Sequence, residues 1–329
     1  MPTVVHVGPI SSPGGIQTVI GTLSAYPPKG WDVDTVESHS SGSYLSKLQA
    51  YNKAKNRLEE LIGQTEDIVI HLHAASDYSF LRKLRLAEHA SKLGAKIVFQ
   101  IHSGNILAWL GKKDRAKKMR QRLKDCKATI VCLSERWKEL LTPFLGKCVV
   151  SSNPIDPIHC IDESVERKQN QILLLGRNDE VKGHDFAFEI MREFQKNGSD
   201  LTLHCSGREQ APDDLDNVIA HGWVSTEEKV RLLQESSLLI LPSTYEGQPL
   251  VALEALACGT PVLASRSVHS LPNGIETASL SDREDWFKKI EHDRSKTTTS
   301  LPSLHQIESV NETLISIYSC TVSMKSTSG

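Results

Sequence analysis

The sequence contains seven cysteines among 329 residues but no C-x-x-C pair. An odd number of scattered cysteines argues against a disulfide framework or a zinc ribbon, and it favours a reducing compartment. No apolar run reaches the roughly 18–20 residues that a membrane-spanning helix needs. The start of the chain also lacks a cationic segment followed by an apolar stretch, so no secretory signal is expected. Together these absences predict a cytoplasmic protein.

Two common phosphate-binding fingerprints are missing as well. No G-x-G-x-x-G follows a predicted strand, and no G-x-x-x-x-G-K-[ST] occurs, which argues against dinucleotide and P-loop sites. Apolar residues make up 39% of the chain and charged residues 24%. This composition is sufficient for a packed core and excludes wholesale disorder.

The net charge of −2 conceals two halves of opposite sign. Residues 1–160 contain 22 Lys and Arg against 14 Asp and Glu, a balance of +8. The remaining residues contain 16 against 26, a balance of −10. This difference predicts different partners for the two halves.

Short β-branched runs alternate with longer mixed segments along the chain. The runs are nearly all apolar, as expected for strands of a sheet covered on both faces. Strands are predicted at residues 3–7, 31–37, 68–73, 96–102, 128–133, 148–151, 171–175, 200–205, 217–220, 237–241 and 261–264. Helices are predicted near 15–25, 44–62, 78–93, 112–125, 134–142, 183–196, 225–235, 249–258 and 304–319. This alternation predicts an α/β protein with two doubly wound, parallel-sheet, Rossmann-like domains that face each other across a cleft.

The predicted domain boundaries follow from composition. Residues 1–150 form the first domain, and residues 151–168, with two prolines followed by mixed charges, form a linker. Residues 169–303 form the second domain. The segment 321–329 is expected to be a disordered tail.

Two pairs of potential metal ligands occur in the first half. Asp32-x-Asp34 lies on the predicted second strand, where a solvated strand edge is the favoured interpretation. His71-x-His73 puts two imidazoles on one face of a strand and could begin a metal site. No carboxylate or third ligand is evident near them, so ordinary packing or polar lining is favoured.

The most informative segment covers residues 238–264. An apolar strand ends at Pro242, and a polar loop with Glu246 follows it. Pro249 suits the first turn of a helix, because its missing N–H would be unpaired there. Gly259 is a typical C-terminal stop for that helix.

Glu246 and Glu254 are eight residues apart and flank the predicted start of this helix. The free N–H groups of Leu250 and Val251 form an anion site at the helix N-terminus. A phosphate there would have one carboxylate on each side, each suited to binding hydroxyl groups. A surface loop and a helix with two solvated acids is the alternative.

The segment resembles the E-x7-E region of retaining glycosyltransferases of family 4, which have the GT-B fold. The resemblance is densest over 171–265, looser over 1–135, and gives little guidance after about 270. It implies that a C-terminal helix at about 304–320 crosses back to the first domain. Further motifs occur in the family's order: Ser12-Pro13-Gly14-Gly15, Ile101-His102, the loop from Gly176 and Arg177 to Lys182 and Gly183, Ser206-Gly207, and Gly222-Trp223-Val224.

The resemblance implies a role for each matched position. Glu246 would hold the hydroxyls of the donor sugar, and Glu254 would hold the ribose diol. Arg177 and Lys182 would stabilise the diphosphate, while His102 would contact the donor sugar near the reaction centre. The expected catalytic residues are therefore His102, Arg177, Lys182 and Glu246. The expected nucleotide-sugar-binding residues are Gly14, Gly15, Gly207, Val224, Gly247, Leu250, Val251 and Glu254.

Physical chemistry agrees with these roles, because cations stabilise a leaving group that gathers negative charge, and glycines let backbone approach a phosphate. Each position also has a plainer interpretation. Arg177 and Lys182 could lie on a solvated loop, Gly14-Gly15 could be an ordinary turn, and His102 could be a core histidine. Gln248 departs from the family, which often has a bulky apolar residue there, so donor preferences are not carried over.

The implied activity is transfer of a sugar from a nucleotide sugar, expected to be UDP-linked, to a saccharide acceptor with retention of configuration. No enzymic nucleophile is evident, so same-face attack is expected, with the departing phosphate accepting the acceptor's proton. Cationic side chains and the helix end take the place of a metal, so no metal or other cofactor is expected. The resemblance to this family further suggests lipid-linked acceptors in capsule, O-antigen or lipopolysaccharide assembly.

Other functions on the same fold stay open. A nucleotide-sugar epimerase is one, and an inactive sugar-nucleotide-binding partner subunit is another. A phosphorylase would need a pyridoxal phosphate lysine and usually a longer chain. The matched catalytic positions are all intact, which favours the active enzyme over the inactive subunit.

Residues 106–127 combine an apolar stretch with a cationic one. Residues 111–127 carry nine cations and two acids, a balance of +7, directly after Ile-Leu-Ala-Trp-Leu. This composition predicts an anchor on an anionic membrane, which would place the protein at the inner face of the plasma membrane. A solvated helix is the alternative, because Met119 and Leu123 could form a core-facing stripe. Nucleic acid is not expected, since interleaved aromatics and a binding motif are lacking.

Overall fold

The computed structural model describes residues 1–40, 42–112, 114–294 and 300–323, without the side chains of Tyr44, Val322 and Ser323. The chain forms two compact units. Residues 1–154 and 303–323 belong to one, called here the N-terminal unit. Residues 155–302 belong to the other, the C-terminal unit.

Strands and helices alternate along the described parts of the chain. The strands are β1 (Thr3–Gly8), β2 (Asp32–Glu37), β3 (Ile68–Ala74), β4 (Lys96–Ile101), β5 (Thr129–Cys132), β6 (Cys148–Val150), β7 (Lys168–Leu174), β8 (Thr202–Cys205), β9 (Val218–Ala220), β10 (Ser236–Leu241), β11 (Val262–Ser265) and β12 (Glu276–Ala278). The helices are α1 (Gly15–Ala25), α2 (Tyr44–Gln64), α3 (Asp77–Lys92), α4 (Ile106–Leu110), α5 (Arg115–Asp125), α6 (Glu135–Leu145), α7 (His184–Lys196), α8 (Thr226–Glu235), α9 (Leu250–Ala257), α10 (Arg283–Asp293) and α11 (Ile307–Ser323).

Each unit contains a six-stranded parallel sheet. The order in the N-terminal unit is β2-β1-β3-β4-β5-β6, and in the C-terminal unit it is β12-β11-β10-β7-β8-β9. Every residue of β3 and of β10 is buried, as the apolar runs in the sequence require of strands covered on both faces. The doubly wound parallel architecture predicted from the sequence is therefore confirmed.

Helix α11 packs on the sheet of the N-terminal unit, although it follows the C-terminal unit in the chain. Tyr318 anchors it: the side chain is fully buried, and its ring lies 5.1 Å from that of Trp31. The hydroxyl of Tyr318 lies 2.7 Å from Nδ1 of His71 on β3.

Several features differ from the sequence analysis, among them the short helix α4, which was not predicted. β12 was not predicted, because its three residues, Glu-Thr-Ala, form no apolar run. α10 was also missed, although Asp282 caps its N-terminus and Trp286 lies fully buried on its core-facing side. The predicted tail was wrong for residues 321–323, which continue α11. The rest of the predicted tail, 324–329, lies outside the described residues.

The apolar part of the predicted membrane anchor is buried. Ile106, Trp109 and Leu110 on α4 belong to the core of the N-terminal unit, so the expectation that they contact lipid was wrong. Met119 and Leu123 on α5 face the same core, as in the alternative interpretation. The exposed cations of this segment remain as a separate surface, which in the described residues consists of Lys112, Lys117, Lys118, Arg120, Lys124 and Lys127.

Three buried histidines interrupt the apolar core of the N-terminal sheet. His6 on β1 lies beside His71 on β3 in the strand register, and His73 lies two residues further along the same face. Nδ1 of His6 lies 3.0 Å from Nε2 of His73. Burial lowers the pKa of His6 from 6.5 to about 3, and it lowers those of His71 and His73 well below 6.5. These side chains are therefore neutral at pH 7.

Acid should destabilise the N-terminal unit through these histidines. The unfolded chain binds their protons at about pH 6.5, whereas the folded chain binds them only at much lower pH, near 3 for His6. Stability is therefore lost as the pH falls below 6.5. The free energy of unfolding in urea should therefore decrease between pH 6.5 and 4, at up to about 1.4 kcal/mol per pH unit for each histidine. In a His6→Leu variant the unfolding reaction should take up about one proton fewer. The slope of the free energy of unfolding against pH should then be smaller by up to about 1.4 kcal/mol per pH unit. Equal slopes in the two proteins would contradict the prediction.

Candidate functional site

Three neighbouring strands of the C-terminal unit, β8, β7 and β10, end at the same edge of the sheet. The loops that follow them contain most of the residues singled out from the sequence. Ligands of open parallel α/β sheets bind outside this carboxyl edge. The contacts between these loops therefore determine the geometry of the candidate site.

Two glycines allow the loops to pack backbone against backbone. Gly207, after β8, has a φ of +83°, and a Cβ there would lie 2.1 Å from the carbonyl oxygen of Gly176. Gly183, with a φ of +73°, meets the carbonyl oxygen of Pro242, which a Cβ would approach to 2.3 Å. Such distances exclude any side chain. The backbone N–H of Gly176 also donates to Oγ of Ser206, at 3.0 Å.

Lys182 and Glu246 meet at the centre of these loops. Nζ of Lys182 lies 2.5 Å from Oε1 of Glu246, and the hydroxyl of Ser243 donates to the same oxygen at 3.0 Å. Both charged side chains keep limited exposure, 21% and 15%. The structure thus joins two predicted site residues that are 64 positions apart in the sequence. The pair fixes the carboxylate while leaving part of each group accessible to a ligand.

Arg177 occupies the same loop as Lys182 but projects into solvent. Within the described residues its guanidinium has no ion pair or hydrogen bond. A 3-10 turn at Glu180–Lys182, capped by the carboxylate of Asp179, separates the two cations and positions Lys182. The loop therefore offers one cation held in place and one that is free to contact an anion.

The N-terminus of α9 lies directly after Glu246 and Gly247. Pro249 is its N-cap and supplies no side-chain hydrogen bond. Its carbonyl accepts hydrogen bonds from the N–H groups of Ala252 and Leu253. The N–H groups of Leu250 and Val251 have no partner among the described residues, which is the arrangement of a helix-terminal anion site.

Glu254 lies one turn further along α9 and is almost completely buried, at 3% exposure. Its Oε1 lies 2.6 Å from Nζ of Lys229 on α8 and 3.7 Å from Nε2 of His159. Burial lowers the pKa of His159, with Glu254 acting in the opposite direction. Glu254 is thus held by a cation, rather than solvated as in the alternative interpretation.

Lys229, His159 and Ser243 are site residues that sequence reasoning missed. An acid in the middle of an apolar helix signals that some cation must meet it, but the sequence has no signal for which one. Ser243 lies three residues before Glu246 and could have been noted as a local hydrogen-bond donor.

The remaining predicted positions of the C-terminal unit lie at the border of the site. Val224 packs, partly buried, against the core below α8 and α9. Gln248, where the sequence departs from the family, is buried at 9% exposure and does not face water.

His102, Gly14 and Gly15 belong to the N-terminal unit. His102 follows β4, and its Nε2 lies 3.0 Å from Nδ1 of His73. Burial, followed by the nearby charge of Lys83, lowers the pKa of His102 from 6.5 to about 3. Gly14 is the N-cap of α1 and Gly15 its first residue, so a helix N-terminus without a side-chain cap stands at this position.

The potential metal ligands of the sequence analysis lie in different surroundings. Asp34 is on the edge strand β2 and pairs with Arg57, with 3.0 Å between Oδ2 and NH2. Potential ligand atoms of His6, His71 and His73 lie within 4.8 Å of one another, so the structure supplies the third imidazole that the sequence did not reveal. Both ring nitrogens of His73 already contact other imidazoles. A metal at this cluster would have to displace the contact between His6 and His73.

Comparisons with known proteins found similar sequences and one family model that matches part of the chain. A family model described as "Glycosyl transferases group 1" matches residues 169–292. An uncharacterised 41.2 kDa protein in the cps region of Klebsiella pneumoniae is 25% identical over 328 residues, with 88% of each chain covered. The amylovoran biosynthesis glycosyltransferase AmsD of Erwinia amylovora is 28% identical over 149 residues, covering 41% of this chain and 42% of that protein.

Solved structures show the same fold. The sucrose-phosphate synthase of Thermosynechococcus elongatus matches with a TM-score of 0.73 at 16% identity, covering 98% of this chain and 100% of that chain. An α,α-trehalose-phosphate synthase of Burkholderia xenovorans matches with a TM-score of 0.67 at 10% identity, covering 96% and 100%. The fold is that of GT-B proteins, and residues 169–292, which hold the paired Lys182 and Glu246, match the family model of the group 1 glycosyltransferases.

Proposed function

We propose that this protein is a retaining glycosyltransferase that transfers a sugar from a UDP-sugar to a saccharide acceptor in polysaccharide biosynthesis. The observation that carries the proposal is the ion pair of Lys182 and Glu246. It lies beside the α9 N-terminus and within the segment that matches the group 1 glycosyltransferases. The names of the relatives support the polysaccharide pathway, since they include amylovoran and colanic acid glycosyltransferases.

The charges of the site suit a nucleoside diphosphate leaving group. Arg177 and Lys182 supply two positive charges, and the N–H groups of Leu250 and Val251 supply the positive end of the α9 dipole. Negative charge that develops on the diphosphate as the glycosidic bond breaks would be stabilised by all of them.

The two glutamates would then bind hydroxyl groups. Glu246, oriented by Lys182 and Ser243, is proposed to bind the donor sugar. Glu254, oriented by Lys229, is proposed to bind the ribose diol. A carboxylate held by a cation keeps its remaining lone pairs in fixed directions, which suits it to accept hydrogen bonds from adjacent hydroxyls.

Retention follows in this proposal from attack on the face that the leaving group vacates. The acceptor oxygen forms the new bond to the anomeric carbon while the bond from that carbon to the phosphate oxygen breaks. The proton of the acceptor hydroxyl passes to the departing phosphate. No protein nucleophile takes part, and the cations take the role that a divalent metal would have.

The proposal can be tested with a screen of nucleotide sugars in a transfer or hydrolysis assay. UDP-sugars should be the best donors, and the product should keep the anomeric configuration of the donor, as read by NMR. EDTA should leave the rate unchanged, because no metal is assigned a step. Inversion of configuration would exclude the proposed mechanism, and loss of activity with EDTA that manganese or magnesium restores would exclude metal independence.

The two cations of the 176–183 loop should each be needed for turnover. Arg177→Ala and Lys182→Ala should each reduce kcat by about 100-fold, since each removes a positive charge that faces the developing negative charge. Arg266→Ala is the matched control for the arginine, because that side chain is 65% exposed in the same unit. Turnover near the wild-type value in both site variants, with the fold intact by circular dichroism, would contradict the assignment.

A lipid-linked acceptor is a further part of the proposal, and the exposed cations of 112–124 support it. Each cation near an anionic leaflet contributes about 1 kcal/mol to binding. Vesicles that contain anionic phospholipid should therefore sediment the protein, and salt should release it. The variant with Lys112, Lys117, Lys118 and Lys124 changed to Glu should bind less. Equal binding to neutral vesicles, or none to anionic ones, would favour an acceptor in solution.

A further inference from the structure

Lys83 on α3 is a buried cation without a hydrogen-bond or ion-pair partner in the described part of the chain. Its side chain has 0% exposure, and its Nζ makes no hydrogen bond or ion pair with any described residue. Lysine is almost never fully buried without a paired group, because removing an ammonium from water costs several kcal/mol. Burial, followed by the charge of Arg82, lowers the pKa of Lys83 from 10.5 to about 7. A charged Lys83 at this buried position therefore destabilises the fold unless an anion neutralises the charge.

Arg82, the next residue on the same helix, repeats this pattern in part. Its Nε is buried and has no hydrogen-bond partner among the described residues. Its NH2 lies 3.5 Å from Nδ1 of His39, which is a weak contact at best. Two adjacent side chains, Lys83 and Arg82, thus each have a buried nitrogen that donates no hydrogen bond to any described residue.

Glu37 is a carboxylate whose charge raises the pKa of Lys83, but its oxygens are occupied by other hydrogen bonds. Its Oε2 accepts hydrogen bonds from the N–H groups of Ile10 and Ser11 and from the hydroxyl of Ser11, at 2.8–2.9 Å. Its Oε1 accepts from the N–H of His39 at 2.8 Å. Glu37 therefore holds the loop before α1 in place and forms no ion pair with Lys83.

Among the described residues, the charge of Lys83 acts also on three histidines, His39, His73 and His102. Burial keeps the imidazoles of His73 and His102 neutral at pH 7. With Glu37 they mark the carboxyl ends of β2, β3 and β4, where parallel α/β sheets bind their ligands. The surplus charge thus lies at a ligand-binding edge rather than in the middle of the core.

We propose that Lys83 and Arg82 form an oxyanion subsite that binds an acid group, phosphate or carboxylate, of the acceptor saccharide. This inference rests on the proposed function and extends it by naming the chemical class of the acceptor. An oxyanion would accept hydrogen bonds from Nζ of Lys83 and Nε of Arg82 and would neutralise the buried charge. The diphosphate of the donor is assigned to Arg177, Lys182 and the α9 N-terminus, which leaves these cations for a second anion.

The subsite can be tested by ligand binding, without a transfer assay. Glucose 6-phosphate, glucuronate and glucose are matched probes that differ in the acid group, and their effect on Tm and their Kd by calorimetry would be measured. The wild-type protein should bind one or both acids and be stabilised by them, whereas glucose should have no effect. In Lys83→Met the Kd for that acid should rise at least tenfold. Lys92→Met, an exposed lysine on the same helix, is the control and should behave as wild type.

Each result has a defined meaning. A response to glucose 6-phosphate alone identifies a phosphate-bearing acceptor, and a response to glucuronate alone identifies a uronic acid. Equal binding by wild type and Lys83→Met, or no preference for either acid over glucose, overturns the subsite. Lys83→Met should fold at least as stably as wild type, because it removes an uncompensated charge. If it does not fold, Arg82→Gln tests the same loss of affinity.

The proposed function is checked in the same samples by titration with UDP. Failure of UDP to bind the wild-type protein would count against the nucleotide-sugar proposal. Failure of the acids to bind while UDP binds would count against the subsite alone.

Discussion

Backbone contact between loops is the constraint on which the candidate site depends. Gly207 and Gly183 bring the turns after β8, β7 and β10 so close that no side chain could stand between them. This contact sets the position of Lys182, and therefore of Glu246, whose carboxylate has no other cation within reach among the described residues. An alanine at either glycine would have to separate the loops, and the ion pair would be lost with them.

The two units differ in how the charged side chains discussed above are compensated. In the C-terminal unit, Glu246 and Glu254 are each held by a lysine, so the anionic groups are fixed and Arg177 remains available. In the N-terminal unit, the buried cation Lys83 has no carboxylate partner among the residues that the structure describes, and the oxygens of Glu37 accept hydrogen bonds from backbone N–H groups.

The sequence predicted those elements whose formation depends on neighbouring residues in the chain. The apolar run of β10, the proline at position 249 and the glycine at 259 are enough to predict a strand, a loop and a helix. Contacts that depend on distant residues were not predictable. His6 joins His71 only through the register of β1 against β3, and Lys229 meets Glu254 only because α8 packs beside α9. The segment around Trp109 was misread, because composition alone does not distinguish an apolar stretch on the core from one on a membrane.

The imidazole contacts behind His102 have a consequence for proton position. A neutral imidazole carries one N–H, so a row of three rings, His102, His73 and His6, has only two arrangements in which every contact has one donor and one acceptor. In one, Nδ1 of His102 carries its proton and Nε2 of His6 carries none. In the other, both are reversed. The tautomer presented by His102 at the strand end is therefore tied to that of a ring buried two strands away, and one cannot change without the other.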